Sequence, residues 1–380
     1  MLDEKSALQM KIHLLSEGIN FEMDLFEEYP KKFYDNQFVY GQTSKNSCSK
    51  NRFPQVILLA QNVNCALLRR ERSSYRLEQE GTEFILSHNG YRVTTIGLPE
   101  RPIYFDQKLS DGTAVENILA VAGEATPGFF LHPTCYYFDI GKPCSFCSMK
   151  GTRQTVGKHM AIAFSKQQIS ECIHIVENTP WRPVPIYSVT TGTCEKDENF
   201  IENVITPLQY MYDSMQVKTK IHLLTHPPKD LDVLYQLKEA GVSSIAFNLE
   251  VFNQQAMNDN CPGKFEKYGY KEWWTALKKA RDIWGEYHVY CGLVWGLEDP
   301  KDTIRGNQVI ADSGIAVASN IFHADPRSRL AKHPHPSVED ISRIATSLAK
   351  LYHIYPKMNT IFDVSMRSTI DWEIKQGFLE

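Results

Sequence analysis

The chain has 380 residues, 42% hydrophobic and 23% charged, an ordinary composition for a folded protein with a full-sized core. A net charge of -4 offers no general attraction to nucleic acid or anionic lipid, and no apolar run approaches the ~20 residues of a membrane span. The acidic opening MLDEKSALQM lacks a basic-then-apolar signal layout, so a cytoplasmic protein is expected, its nine cysteines suited to metal or thiol chemistry rather than a disulfide framework.

In chain order, EKSALQMKIHLLSEG (4–18) opens with a helical pattern. RRERSSYR (69–76) is a short basic cluster that reads as a solvated face. Two strand pairs are expected around YRLEQEGTEFILSHNGYRVTTIG (75–97) and RPIYFDQKLSDGT (101–113). Residues 1–125 therefore read as a smaller α+β domain of unassigned role.

From there the rhythm changes. Apolar, β-branched or aromatic runs at 128–134, 184–191, 220–226, 243–250, 288–296 and 316–324 alternate with amphipathic stretches such as DLDVLYQLKEAG and KEWWTALKKARDIWG. Both stretches end on Gly, the usual residue just past a helix. In the second, Trp273, Trp274, Leu277 and Trp284 have the spacing of a face packed on a sheet. Six strand–helix repeats predict an α/β fold with a parallel sheet, a (β/α)6 partial TIM barrel over 126–355, and a tail at 356–380 packed on it. Chemistry in such folds gathers at the C-terminal ends of the strands.

The loop leaving the first of these strands reads HPTCYYFDIGKPCSFCSMK, with Cys135, Cys144 and Cys147 in a C-x8-C-x2-C spacing. Three readings are open here. A zinc site wants four ligands, and His132 is the nearby fourth. An iron–sulfur cluster usually takes four cysteines, so three would leave one iron open to a ligand. The third reading is incidental placement.

The later strand ends bear on the choice. TTGT (190–193) follows the second strand, FNLE (247–250) ends the fourth, and GLVWGLED (292–299) spans the fifth. With the C-x-aromatic-C ending of the cysteine loop, this order resembles the radical S-adenosylmethionine (SAM) enzymes, in particular biotin-synthase-like members; the gap of eight between the first two cysteines departs from the commonest spacing. The resemblance covers about 128–355. It implies a [4Fe-4S] cluster on Cys135, Cys144 and Cys147. It places Phe146, Thr191, Gly192, Thr193, Glu250, Gly292, Val294 and Gly296 against SAM, with Asp299 closing the adenine motif. It further implies a radical that takes hydrogen from a small-molecule substrate, and an external one-electron donor such as flavodoxin or ferredoxin.

A sulfur-inserting member would need a second iron–sulfur cluster, for which Cys194 and Cys291 are the candidates. Cys291 is offset by one residue from the corresponding family position, and one residue reverses the face of a strand. Cys194 and Cys291 also suit the role of small core residues, Cys261 reads as loop structure, and Cys48, Cys65 and Cys172 are spare. His226, sharing a strand face with His222, is a candidate substrate contact, as are His323 and Arg327 after the sixth strand. His333 and His335, flanked by prolines, read as loop.

Overall fold

The computed structural model describes residues 1–26, 53–123, 126–151 and 164–379. An opening helix, Glu4–Glu17, is capped by Asp3, whose carboxylate accepts the Ser6 amide at 2.9 Å. β1 (Val56–Ala60) and β2 (Val63–Ala66) form an antiparallel pair. β3 (Tyr75–Glu80), β4 (Glu83–His88) and β5 (Tyr91–Ile96) form a meander of three strands. Its second turn places Asn89 at φ 50° and Gly90 at φ 83°, the left-handed pair that a two-residue hairpin needs. The sequence 75–97 thus makes three strands where a pair was expected. The second expected pair is instead a short helical turn, Ile103–Asp106, with one isolated bridge between Lys108 and Ala114.

β6 (Leu119–Ala122) runs antiparallel to β7 (Thr126–His132), so the main sheet begins ahead of residue 126, where the barrel was expected to start. β8 (Ile186–Thr191), β9 (Lys220–Leu224), β10 (Val242–Ala246), β11 (Val289–Trp295) and β12 (Ala316–Ile321) follow in parallel, each beside its predecessor in sequence. All six expected strands are present. Helices follow the strands, as in a (β/α)6 partial barrel.

Three local sequences explain the helices best. Ser165 and Gln168 form a reciprocal capping box at the start of helix Lys166–Asn178. Asp299 caps helix Pro300–Asp312, and Gly285, at φ 94°, closes helix Tyr270–Trp284. The expected aromatic face of that last helix does pack inward: Trp273 and Trp284 are buried and donate their indole N–H groups to the carbonyls of Phe247 and Val242.

Side chains along the six parallel strands alternate between the helices and a lumen. Ser188, Thr190, His222, Leu224, Gly292 and Val294 are among those facing the lumen, which holds a cavity of about 300 Å³. The open side of the barrel lies between the edge strands β6 and β12. There the segment 360–369 forms a strap. Ser368 accepts the Ile321 amide at 2.9 Å, and Val364, Ser365 and Met366 lie against Gly123 beside β6.

The strap is tied to the opening helix. Lys11, fully buried, donates to Glu373 at 2.5 Å, to the carbonyl of Met366 at 2.6 Å and to the Ser365 hydroxyl at 3.2 Å. The C-terminal segment is therefore part of the barrel wall rather than a tail resting on it. Among the described residues no helix is long and apolar enough to cross a membrane.

Candidate active site at the barrel mouth

Cys135 follows the end of β7 and immediately precedes the short helix Tyr136–Asp139. The turn is held from the second strand end: Tyr136 donates to the Thr193 carbonyl at 2.9 Å, and Gly192 to the His132 carbonyl at 2.7 Å. A Cβ at position 192 would lie 1.8 Å from the Thr134 carbonyl oxygen and 3.1 Å from the Cys135 Cβ, so only glycine lets the two strand ends meet. Cys144 and Cys147 are joined by a backbone bond of 3.1 Å, and Ser145 between them is fixed to Asn260 through both its amide and its hydroxyl. Phe146 is half-buried against the core.

The three thiols feel one another. Burial, then the neighbouring Cys144, raises the Cys147 pKa above the ordinary thiol range, and burial raises Cys135. Cys144 goes the other way. The Cys261 thiol donates to it and the Lys264 ammonium lies near it, which together outweigh burial. Burial and that same donation push Cys261 upward. Among the described residues no group of three or more His, Cys, Asp or Glu side chains is arranged to hold a single metal ion. The donor set at the loop is all sulfur, as an iron–sulfur cluster takes, and a cubane spreads its thiolates over separate irons.

FNLE leaves β10 and rejoins β11 further on. Glu250, at φ 73°, donates its amide to the Gly292 carbonyl at 3.0 Å and accepts from the Val294 amide at 2.7 Å. A non-glycine residue in this region is uncommon and sustained only by its surroundings. Here the surroundings are an ion pair: Lys264 Nζ lies 2.7 Å from the Glu250 carboxylate and 2.9 Å from the Asn248 carbonyl. Burial opposes the Lys264 charge, but Glu250 first, then Cys144 and Cys261, outweigh it and hold its pKa above the usual value. At Gly292 a Cβ would meet the Asn248 amide at 2.8 Å, and Asn248 accepts the Gly292 amide at 2.9 Å.

Other expected contacts are placed differently. Thr191 shares a hydroxyl–hydroxyl bond of 2.6 Å with Thr225. Gly296, at φ 106°, packs on Pro336, while Val294 faces the lumen. Asp299, read as the end of an adenine motif, spends its carboxylate capping the helix that follows. Its neighbour Glu298 binds the Phe252 and Asn253 amides at 2.9 and 2.8 Å, tying the fourth and fifth strand ends together. The His132 imidazole, the expected fourth zinc ligand, lies 3.0 Å from the Thr134 hydroxyl.

His222 and His226 part company, because β9 ends at Leu224 and the alternation ends with it. His222 faces the lumen, whereas His226 faces a separate hollow of about 280 Å³ with Cys194, Tyr136 and Tyr268. His323 is half-buried near Arg367, and Arg327 holds Asp325 through contacts of 3.2 Å; neither lines the lumen. Cys291 is fully buried and is not among the lumen-lining residues, as its odd place on β11 requires. Cys65, Cys172 and Cys261 are buried, and Cys48 lies outside the described residues. His333 and His335 lie in a loop as expected, where His335 bridges the Leu15 carbonyl and the Ala324 amide.

Fold and site together are those of a partial parallel barrel with a thiol-bearing mouth. The chain is 23% identical to the bacteriochlorophyllide c C-7(1)-hydroxylase of Chlorobaculum limnaeum over 261 residues, 65% of this chain and 65% of the length of that relative. Among solved structures it is similar to methylornithine synthase (PylB), with a TM-score of 0.46, 14% identity, and coverage of 73% of this chain and 78% of that one. It is also similar to the [FeFe]-hydrogenase maturase HydG of Carboxydothermus hydrogenoformans, with a TM-score of 0.43, 15% identity, and coverage of 60% and 51%. No family model matches the chain.

Proposed function

We propose that the chain is a radical SAM enzyme acting on a small molecule held in the lumen. The observation that carries this reading is the meeting of Cys135, Cys144 and Cys147 with the Glu250–Lys264 pair at the C-terminal mouth of a partial barrel. Cys135, Cys144 and Cys147 would hold a [4Fe-4S] cluster, with SAM beside Gly192, Glu250 and Gly292. When bound, that pair supplies a radical able to take a hydrogen atom from carbon. The protein's own part is orientation and exclusion of water. Gly192 and Gly292 let the strand ends pack close against Thr134 and Asn248, Lys264 fixes the Glu250 carboxylate, and the strap closes the barrel's side. An external one-electron donor such as flavodoxin or ferredoxin completes the scheme. The relative's named action, hydroxylation of bacteriochlorophyllide c, supports an enzyme of small molecules.

A second reading draws on Cys261. Its contact with Cys144 brings a fourth thiol to the mouth, although among the described residues no three such side chains are arranged around a single metal ion as a closed structural site would need. The sulfur-inserting variant has less support, since Cys291 faces away from the lumen.

Anaerobic reconstitution with iron and sulfide, reduction with dithionite and an assay for 5'-deoxyadenosine from SAM tests these together. Deoxyadenosine from the wild type but not from Cys144→Ala, with about four irons per chain, is the expected result. Six to eight irons would favour two clusters. Bound zinc without deoxyadenosine would replace the enzyme with the structural site.

A further inference from the structure

The chemistry proposed above makes no use of His222, the most deeply placed polar side chain of the lumen. Three contacts fix its ring. The Ser244 hydroxyl lies 2.8 Å from Nδ1, and the rings of Tyr290 and Phe362 stand edge-on at centroid distances of 5.5 and 5.8 Å. Phe362 belongs to the strap. His222 is 1% exposed, yet Nε2 has no hydrogen-bond partner among the described residues. Beside it in register stand Ser188 and then Gly128, and Gly292 and Ala318 line the same cavity. Small side chains at these positions border the cavity beside the imidazole.

We propose that the lumen receives a largely apolar molecule bearing one uncharged hydroxyl or carbonyl group, and that His222 Nε2 is the atom that meets it. Buried polar groups are paired almost without exception, so an orphaned nitrogen beside an open cavity marks where a ligand's polar atom belongs. Burial holds the His222 pKa down to about 3, so the imidazole is neutral at physiological pH and suits an uncharged group rather than a carboxylate. The charged side chains that line the cavity have protein partners: Glu250 pairs with Lys264, and Arg367 donates to Gln55 at 3.0 Å. The aromatic and aliphatic wall takes the rest of the molecule.

This assignment rests on the lumen being the substrate chamber of the proposed enzyme, and its test uses neither SAM nor reductant. The probes are 2-naphthol and naphthalene, alike in shape and differing by one hydroxyl, titrated by fluorescence into the full chain as purified. The expected result is about fivefold tighter binding of 2-naphthol, the worth of one buried hydrogen bond, and a shift of the His222 Nε2 resonance in histidine-labelled protein. His222→Phe, which keeps a ring beside Tyr290 and Phe362, removes the preference, and His222→Gln retains part of it. Equal affinities, a preference unchanged in His222→Phe, or binding of neither probe would overturn the assignment. A chain that prefers 2-naphthol through His222 but forms no deoxyadenosine keeps the chamber and loses the radical enzyme. The reverse pair of results does the opposite.

Discussion

Lys264 shows how much one side chain can hold. It reaches the mouth from the turn after helix Gln254–Asn260, donates to Glu250 and Asn248, and lies 4.8 Å above the Trp273 ring. Lys264→Met should leave the Glu250 carboxylate uncompensated and cost about 3 kcal/mol in urea unfolding. Lys264→Met with Glu250→Gln should recover most of that loss. Gly192→Ala should be as damaging as any change at the mouth, since its new methyl group collides with the Thr134 carbonyl; the check is failure to bind iron on reconstitution. The cysteine triad was legible in the sequence because its residues are close neighbours there. Lys264 and Cys261 were not legible as mouth residues. They arrive through a tertiary contact in which Gly263 packs against Tyr137 so closely that a Cβ would meet the ring at 2.5 Å.

The strands were the clearest elements to foresee, because a run buried on both faces, followed by a 3.6-residue pattern, leaves little choice. The strap and β6 were harder. The strap has no apolar run of its own and the apolar run of β6, ILAVA (118–122), is short; each covers an open sheet edge. The strap's anchor makes its own predictions. Lys11→Met removes one half of a fully buried pair and should cost about 3–5 kcal/mol by denaturant unfolding, while Lys11→Met with Glu373→Leu should regain much of it. Asp371, bonded to the Ser319 amide and hydroxyl, has its pKa raised by burial to about 6 from 3.8. The folded chain therefore binds this proton more tightly than the unfolded one between those values. Stability should fall as pH rises from about 4 to about 6, and Asp371→Asn should flatten that slope.

On the scale of the whole molecule, each parallel strand lies beside its predecessor in sequence, so the barrel is assembled from contacts of modest sequence separation. The Lys11–Glu373 pair is of another kind, joining residues 362 positions apart. Contacts so distant in sequence incur the full entropy of loop closure before they return any stability. The staves can thus find one another early, while the clasp is made late. Refolding should be little slowed by Lys11→Met, and unfolding markedly faster, because an interaction absent from the transition state acts on the unfolding rate. By that account the clasp governs how long the folded chain lasts, and the barrel governs how quickly it forms.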